Sequence, residues 1–116
     1  MKRVRFVGSS REDISVFPSS ARFRAGHELF LLQVGREPSD WKPISGVGTG
    51  ACEIRVRDES GAFRVIYVAK FRDAIYVLHA FQKKVQKTSQ ADVALAGKRY
   101  REAQSLAKEA SHGKGK

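Results

Sequence analysis

Cysteine is almost absent from this 116-residue chain, and the single Cys52 excludes an internal disulfide framework and a thiolate pair for zinc, so a reducing compartment is expected. Cys52 itself reads as a small core residue. Long apolar runs are missing too. No stretch approaches the roughly 18 apolar residues of a transmembrane helix, and the apolar part of Met1-Lys2-Arg3-Val4-Arg5-Phe6-Val7 is too short for a signal peptide. The expectation is a soluble, cytoplasmic protein with no membrane partner. Acidic residues are scarce in one half only. Residues 1–60 hold ten Lys/Arg against eight Asp/Glu, a net of +2, whereas residues 61–116 hold twelve against four, a net of +8. A field of that sign favours a polyanion, and nucleic acid is the usual one because released counterions supply affinity.

What is present suits one domain over residues 1–110, followed by a short disordered basic tail, 111–116. Val4 and Phe6 alternate with Arg3 and Arg5 as a first strand. Ser10 with Asp13 fits a helix-capping pair for residues 11–16, stopped by Pro18. Ser19 or Ser20 can cap a helix over 20–35, in which Ala21, Ala25, Leu29 and Leu32 form an apolar stripe widened by Phe23, Phe30 and Val34. Its polar side, with Arg22, Arg24, His27, Glu28 and Arg36, is a solvated face or a contact for a protein partner or RNA. Gly35 to Gly50 forms a connector with a short strand near 43–46 and Trp41 as its anchor. Gly46-Val47-Gly48-Thr49-Gly50 lacks the Lys-Ser/Thr and the following helix of a phosphate-cradling loop.

Cys52, Ile54 and Val56 alternate with Glu53, Arg55 and Arg57, which predicts a strand with one charged face. Asp58-Glu59-Ser60-Gly61 turns into a strand over 63–71, and Arg72-Asp73 turns into another over 75–81. Together they make an antiparallel meander. Ser89 with Asp92 caps a last helix that carries Val93, Ala96, Tyr100 and Ala103 on one face.

Arg64 stands out, because a guanidinium in an apolar strand needs an anion: either a salt bridge such as Glu53 or a phosphate. His79, on the face of Ile75, Val77 and Phe81, is either a satisfied core histidine or a base whose pKa the nearby Lys83 and Lys84 depress. Lys83, Lys84 and Lys87 form a cluster with no acid between Asp73 and Asp92. With Arg55, Arg57 and Arg64 on adjacent predicted strands they make a candidate backbone-binding surface, and Tyr67, Tyr76 and Phe81 are stacking surfaces or core. His27, His79 and His112 have no metal-ligand spacing, so neither a metal nor another cofactor is expected.

These blocks give the chain a family resemblance. Through Ala21-Arg22, Gly26-His27-Glu28-Leu29, Asp40-Trp41-Lys42-Pro43, Glu53-Ile54-Arg55, Gly61-Ala62-Phe63-Arg64-Val65-Ile66-Tyr67, Leu78-His79-Ala80-Phe81-Gln82-Lys83-Lys84 and Ala96-Gly97-Lys98-Arg99-Tyr100, it resembles the HigB-like, phage-related toxins of the RelE/ParE superfamily. The resemblance implies a small α+β domain with an N-terminal helical hairpin packed on an antiparallel sheet and a C-terminal helix. It implies the toxin of a type II toxin-antitoxin system: a metal-independent endoribonuclease that cuts messenger RNA on the ribosome. It also implies a helix-turn-helix, HigA-like antitoxin, which reads operator DNA in the complex.

On that resemblance Arg64 is the phosphate stabiliser, base and acid work falls to His79 and Lys84 with Lys83 interchangeable, and Arg55, Arg57, Lys70 and Lys87 bind RNA. Where some relatives carry a catalytic tyrosine this chain has Val85 and Gln86, so Tyr100 substitutes or no tyrosine takes part. Two rivals share the fold: a ParE-like gyrase poison and a non-catalytic nucleic-acid-binding module.

Overall fold

The alternation of β1 (Arg3–Phe6) suits a strand wet on one side, and it lies at one edge of a five-stranded sheet. The computed structural model describes residues 1–84 and 87–114. After β1 come α1 (Ser10–Ser15) and α2 (Ser19–Gln33), then β2 (Trp41–Pro43), β3 (Ala51–Asp58), β4 (Gly61–Val68), β5 (Ala74–Lys83) and α3 (Gln90–Lys114). The order across the sheet is β1-β5-β4-β3-β2. The β3-β4-β5 meander is antiparallel as expected, but β1 pairs parallel with β5. The sheet is therefore mixed, and the two N-terminal helices follow a strand instead of opening the fold. Parallel pairing needs a long crossover, here everything between residues 6 and 74.

Local chemistry explains most boundaries. Asp58 Oδ1 accepts the Ser60 amide at 2.8 Å, and Gly61 has φ 134°, so the β3–β4 hairpin closes on an Asx turn and a glycine-only backbone. Ser89 caps α3 as expected, its Oγ accepting the Asp92 amide at 3.1 Å. Ser10 does not cap α1. It is fully buried and donates to the Val77 carbonyl at 3.0 Å, which pins α1 to β5, while Ser9 bonds Asp13. Helical backbone in α3 continues to Lys114, beyond residue 110, where the sequence places the start of a disordered tail.

The helices cover both faces of the sheet. On one, Ala21, Ala25 and Leu29 of α2 pack with Phe17 of the α1–α2 turn against Ile54, Phe63, Val65 and Ile75. Alanine lets the helix approach closely, and Phe17 meets Phe63 at 4.7 Å between centroids. Phe23, Phe30 and Val34 do not widen this contact. They lie on the outer side of α2, with Phe23 78% exposed, because a helix turns about 100° per residue and only one stripe can meet a flat sheet. On the other face Ala96, Tyr100 and Ala103 of α3 cover Ile66, Val68, Tyr76 and Leu78. Gly48 crosses directly beneath the Tyr100 ring: a Cβ there would lie 2.5–2.6 Å from three ring carbons. Gly48→Ala is expected to destabilise the fold by about 1–3 kcal/mol, the usual cost of overpacking, read as a lowered urea midpoint at unchanged slope.

One irregularity positions the candidate site. Ile66 pairs with His79 but Tyr67 with Val77, so Leu78 is an extra residue, a β-bulge. Arg99 of α3 holds it, donating from Nη1 to the Leu78 carbonyl and from Nη2 to Ser9 Oγ, each at 3.0 Å.

Candidate functional site

Beyond the bulge the parity of β5 is reversed, so His79, Phe81 and Lys83 face α3 while Ile75 and Val77 face α2. The shared face of His79 with Ile75 and Val77, expected from strict alternation, is therefore corrected. Cross-strand partners point to the same side of a sheet. Arg55 pairs with Arg64 and Arg64 with Phe81, while Arg57 pairs with Ala62 and Ala62 with Lys83. The α3 side of the sheet thus gathers Arg55, Arg57, Arg64 and Lys83 near the end of β5.

Two arginines directly opposite each other repel, and Glu53 offsets this. Its Oε1 lies 3.6 Å from Arg64 Nε and 3.7 Å from Arg55 Nε, and Oε2 accepts Thr88 Oγ1 at 2.9 Å. Glu53 and Arg64 are only 2% and 3% exposed. The structural salt bridge anticipated for Arg64 is present, yet neither arginine Nε has a hydrogen-bond partner among the described residues. The Arg64 contact that meets hydrogen-bond geometry is Nη1 to the Phe63 carbonyl, at 3.3 Å. Burial lowers the Arg64 pKa, Glu53 opposes that, and Arg55 and Arg57 lower it further. Lys83 is likewise lowered, by desolvation first and then by Arg64 and Arg55.

The other anticipated residues divide. His79 is 7% exposed, its Nε2 is 2.7 Å from Asp92 Oδ1, and its ring lies 4.8 Å from Phe81. Nδ1 is buried without a partner among the described residues. The pair ties the start of α3 to β5. Lys84 is exposed past Lys83. Lys87 borders a cleft of about 370 Å³ with Lys42, Glu53, Arg55 and Thr88, so it joins the cluster. Lys70 does not: it follows β4, its Nζ 5.4 Å from the Phe71 centroid and 5.9 Å from that of Tyr100. Along β4 alone, Arg64 and Val68 are roughly 13 Å apart.

Tyr100 cannot substitute for a catalytic tyrosine, since its hydroxyl donates to the Thr49 carbonyl at 2.6 Å inside the α3-side core. Positions 85 and 86, which the resemblance sets against a catalytic tyrosine, lie outside the described residues. Tyr67 and Tyr76 are core, and burial raises both hydroxyl pKa values. Phe81 is half-buried over His79. Sequence reasoning missed Asp92 as the partner of His79, because the capping motif fully accounted for it, and missed Lys42, whose pairing with Glu53 needs the edge strand β2.

Among the described residues no three His, Cys, Asp or Glu side chains gather as a metal site would need, and no helix is long and apolar enough to cross a membrane. The arrangement offers a preorganised guanidinium beside a depressed lysine, with further cations for a phosphate chain. No curated protein matches the chain. The model of one family, described as Phage derived protein Gp49-like (DUF891), matches residues 12–101, a span that holds Arg55, Arg57, Arg64, His79, Lys83 and Asp92.

Proposed function

The chain belongs to the Gp49-like family of phage-derived proteins, and from that premise we propose that it is the toxin of a type II toxin-antitoxin system, an endoribonuclease acting on messenger RNA at the ribosome. The observation that carries this reading is Arg64: a guanidinium 3% exposed, flanked by Arg55, Arg57 and Lys83 on one sheet face around a single shared carboxylate. The resemblance to HigB-like toxins supplies the reaction class and the cytoplasmic setting. It also supplies the partner, a HigA-like antitoxin that brings the complex to operator DNA.

The chemistry is transesterification. The ribose 2′-oxygen attacks the adjacent phosphorus, the bond from phosphorus to the 5′-oxygen breaks, and the products are a 2′,3′-cyclic phosphate and a 5′-hydroxyl. Arg64 stabilises the extra negative charge on the phosphoryl oxygens, held in place beforehand by Glu53. Lys83, its pKa lowered, takes the 2′ proton when neutral, and Lys84 returns a proton to the leaving 5′-oxygen. Arg55, Arg57 and Lys87 hold flanking phosphates. His79 and Asp92 position the start of α3 beside the site.

Induced expression followed by mapping of new RNA ends tests the function. Messages with new 5′-hydroxyl ends are expected; intact messages with DNA breaks would replace the reading with the gyrase-poison one. A second expectation concerns pH. A lysine base must be unprotonated, so cleavage is expected to rise with pH and level off below the ordinary lysine value of about 10.4. Lys83→Met should remove that rise in single-turnover cleavage of ribosome-bound message; an unchanged profile would exclude Lys83 as the base.

A further inference from the structure

A large cleft lies away from Arg64. About 650 Å³ in volume, it opens between the β4–β5 turn and the second half of α3, lined by Phe71, Arg72, Asp73, Arg101 and Lys108 among others. A second cleft of about 450 Å³ shares Arg72 and Asp73 and adds Lys2 and Arg3. Five cations and one carboxylate therefore line the two clefts, and that carboxylate is already engaged: Asp73 accepts the Tyr76 hydroxyl at 2.5 Å and lies 3.6 Å from a further cation, Arg5. Arg72, Arg101 and Lys108 are exposed, and none has an ion-pair partner among the described residues.

The wall of the larger cleft adds a different chemistry. Phe71 is half-buried, with its ring fixed edge-on to Tyr76 at 5.8 Å and tilted against Tyr100 at 6.1 Å, while the Lys70 ammonium is 5.4 Å from its centroid. An aromatic ring held rigid among cations suits a nucleic-acid strand, where the base stacks and the backbone meets charge. An acidic peptide would meet the cations alone, whereas an RNA strand also uses the part of the Phe71 ring that the core leaves open. We propose that this cleft binds an unpaired nucleotide of RNA, with its base against Phe71 and its phosphates on Arg72, Arg101 and Lys108. It is separate from the Arg64 cluster, because Arg64 lies near the start of β4 and the cleft lies beyond its end.

The test measures binding alone, so it stands whether or not the protein cleaves RNA. A short fluorescent oligouridylate is titrated with the full chain by anisotropy over a range of potassium chloride concentrations. The triple variant Arg72→Glu/Arg101→Glu/Lys108→Glu is expected to bind at least tenfold more weakly, with a salt slope shallower by about two, because each single-strand phosphate contact contributes about 0.7. Phe71→Leu is expected to cost about five- to a hundredfold through lost stacking, with the slope kept. If charge reversal prevents folding, Arg101→Gln/Lys108→Gln, confined to exposed positions of α3, should flatten the slope by about 1.4. Unchanged affinity and slope in the folded charge variants would overturn the proposal. So would an unaffected Phe71→Leu protein from which polyglutamate displaces the oligouridylate, since that identifies an acidic-peptide site.

Discussion

Arg64→Ala is expected to lower the rate of message cleavage by about 10²–10³-fold, the usual loss when one preorganised donor to a developing oxyanion is removed. Arg64 is 3% exposed beside Glu53 and opposite Arg55, so the substitution also unsettles the cluster, and rate and stability must be separated. Arg64→Lys does this. It keeps the charge next to Glu53 and removes the planar fork, so folding should be largely retained while cleavage stays far below that of the parent. The measurement is single-turnover cleavage of ribosome-bound message, alongside a urea melt of each protein. Parental cleavage by folded Arg64→Lys would mean that only the charge matters; parental cleavage by Arg64→Ala would remove the site.

The largest stability effect is expected at Glu53. Glu53→Ala takes the one carboxylate from a guanidinium that is itself buried, leaves Arg55 facing it across the strand pair, and deprives Thr88 Oγ1 of its acceptor. Removing one member of a buried ion pair costs about 3–5 kcal/mol, because the remaining charge has nowhere to go. Urea denaturation should show this as a large drop in midpoint. The paired variant Glu53→Met/Arg64→Met is expected to recover most of the loss, since well-packed apolar replacements of a buried pair are often neutral or stabilising. A double-mutant cycle on the two positions gives the coupling directly. Near-additive losses would show that the 3.6 Å contact is incidental.

How much was legible from residues alone follows from how local each signal is. The meander, the small-residue stripe on α2 and the Ser89 cap all rest on patterns within a few residues, and all three are found. The parallel partnership of β1 with β5 is not written locally: Val4 and Phe6 alternate in the same way whichever neighbour they pair with. The bulge at Leu78 escaped for the opposite reason, since Leu78, His79 and Ala80 look like uninterrupted alternation and the disruption is held from outside by Arg99.

For the candidate site, the grouping of Arg55, Arg57, Arg64 and Lys83 was readable because odd positions on β3 and even positions on β4 share a face through the register of a short hairpin. Lys70 lies past the end of β4, and the extended strand carries it away from the Arg64 cluster. Tyr100 lies at helical spacing from Ala96 and Ala103, which is the signature of a core position, and the core is where it sits. Asp92 illustrates a subtler loss. Once a motif explains a side chain, its second contact, here His79 Nε2 at 2.7 Å, has no remaining signal in the sequence.

The parallel edge strand also has a kinetic consequence. β1 leaves the ribosome well before its strand partner, β5, which ends at Lys83. At about 5–20 residues per second, roughly 4–14 s of synthesis separate the two. Contacts so distant in sequence form late, after the local hairpins have condensed. The nascent chain therefore carries β3 and β4, with Glu53 and Arg64, before the strand carrying Lys83 or the helix start carrying Asp92 has been made. Basic side chains arrive at the site in order, and the constellation is complete only once β5 and the start of α3 have been made.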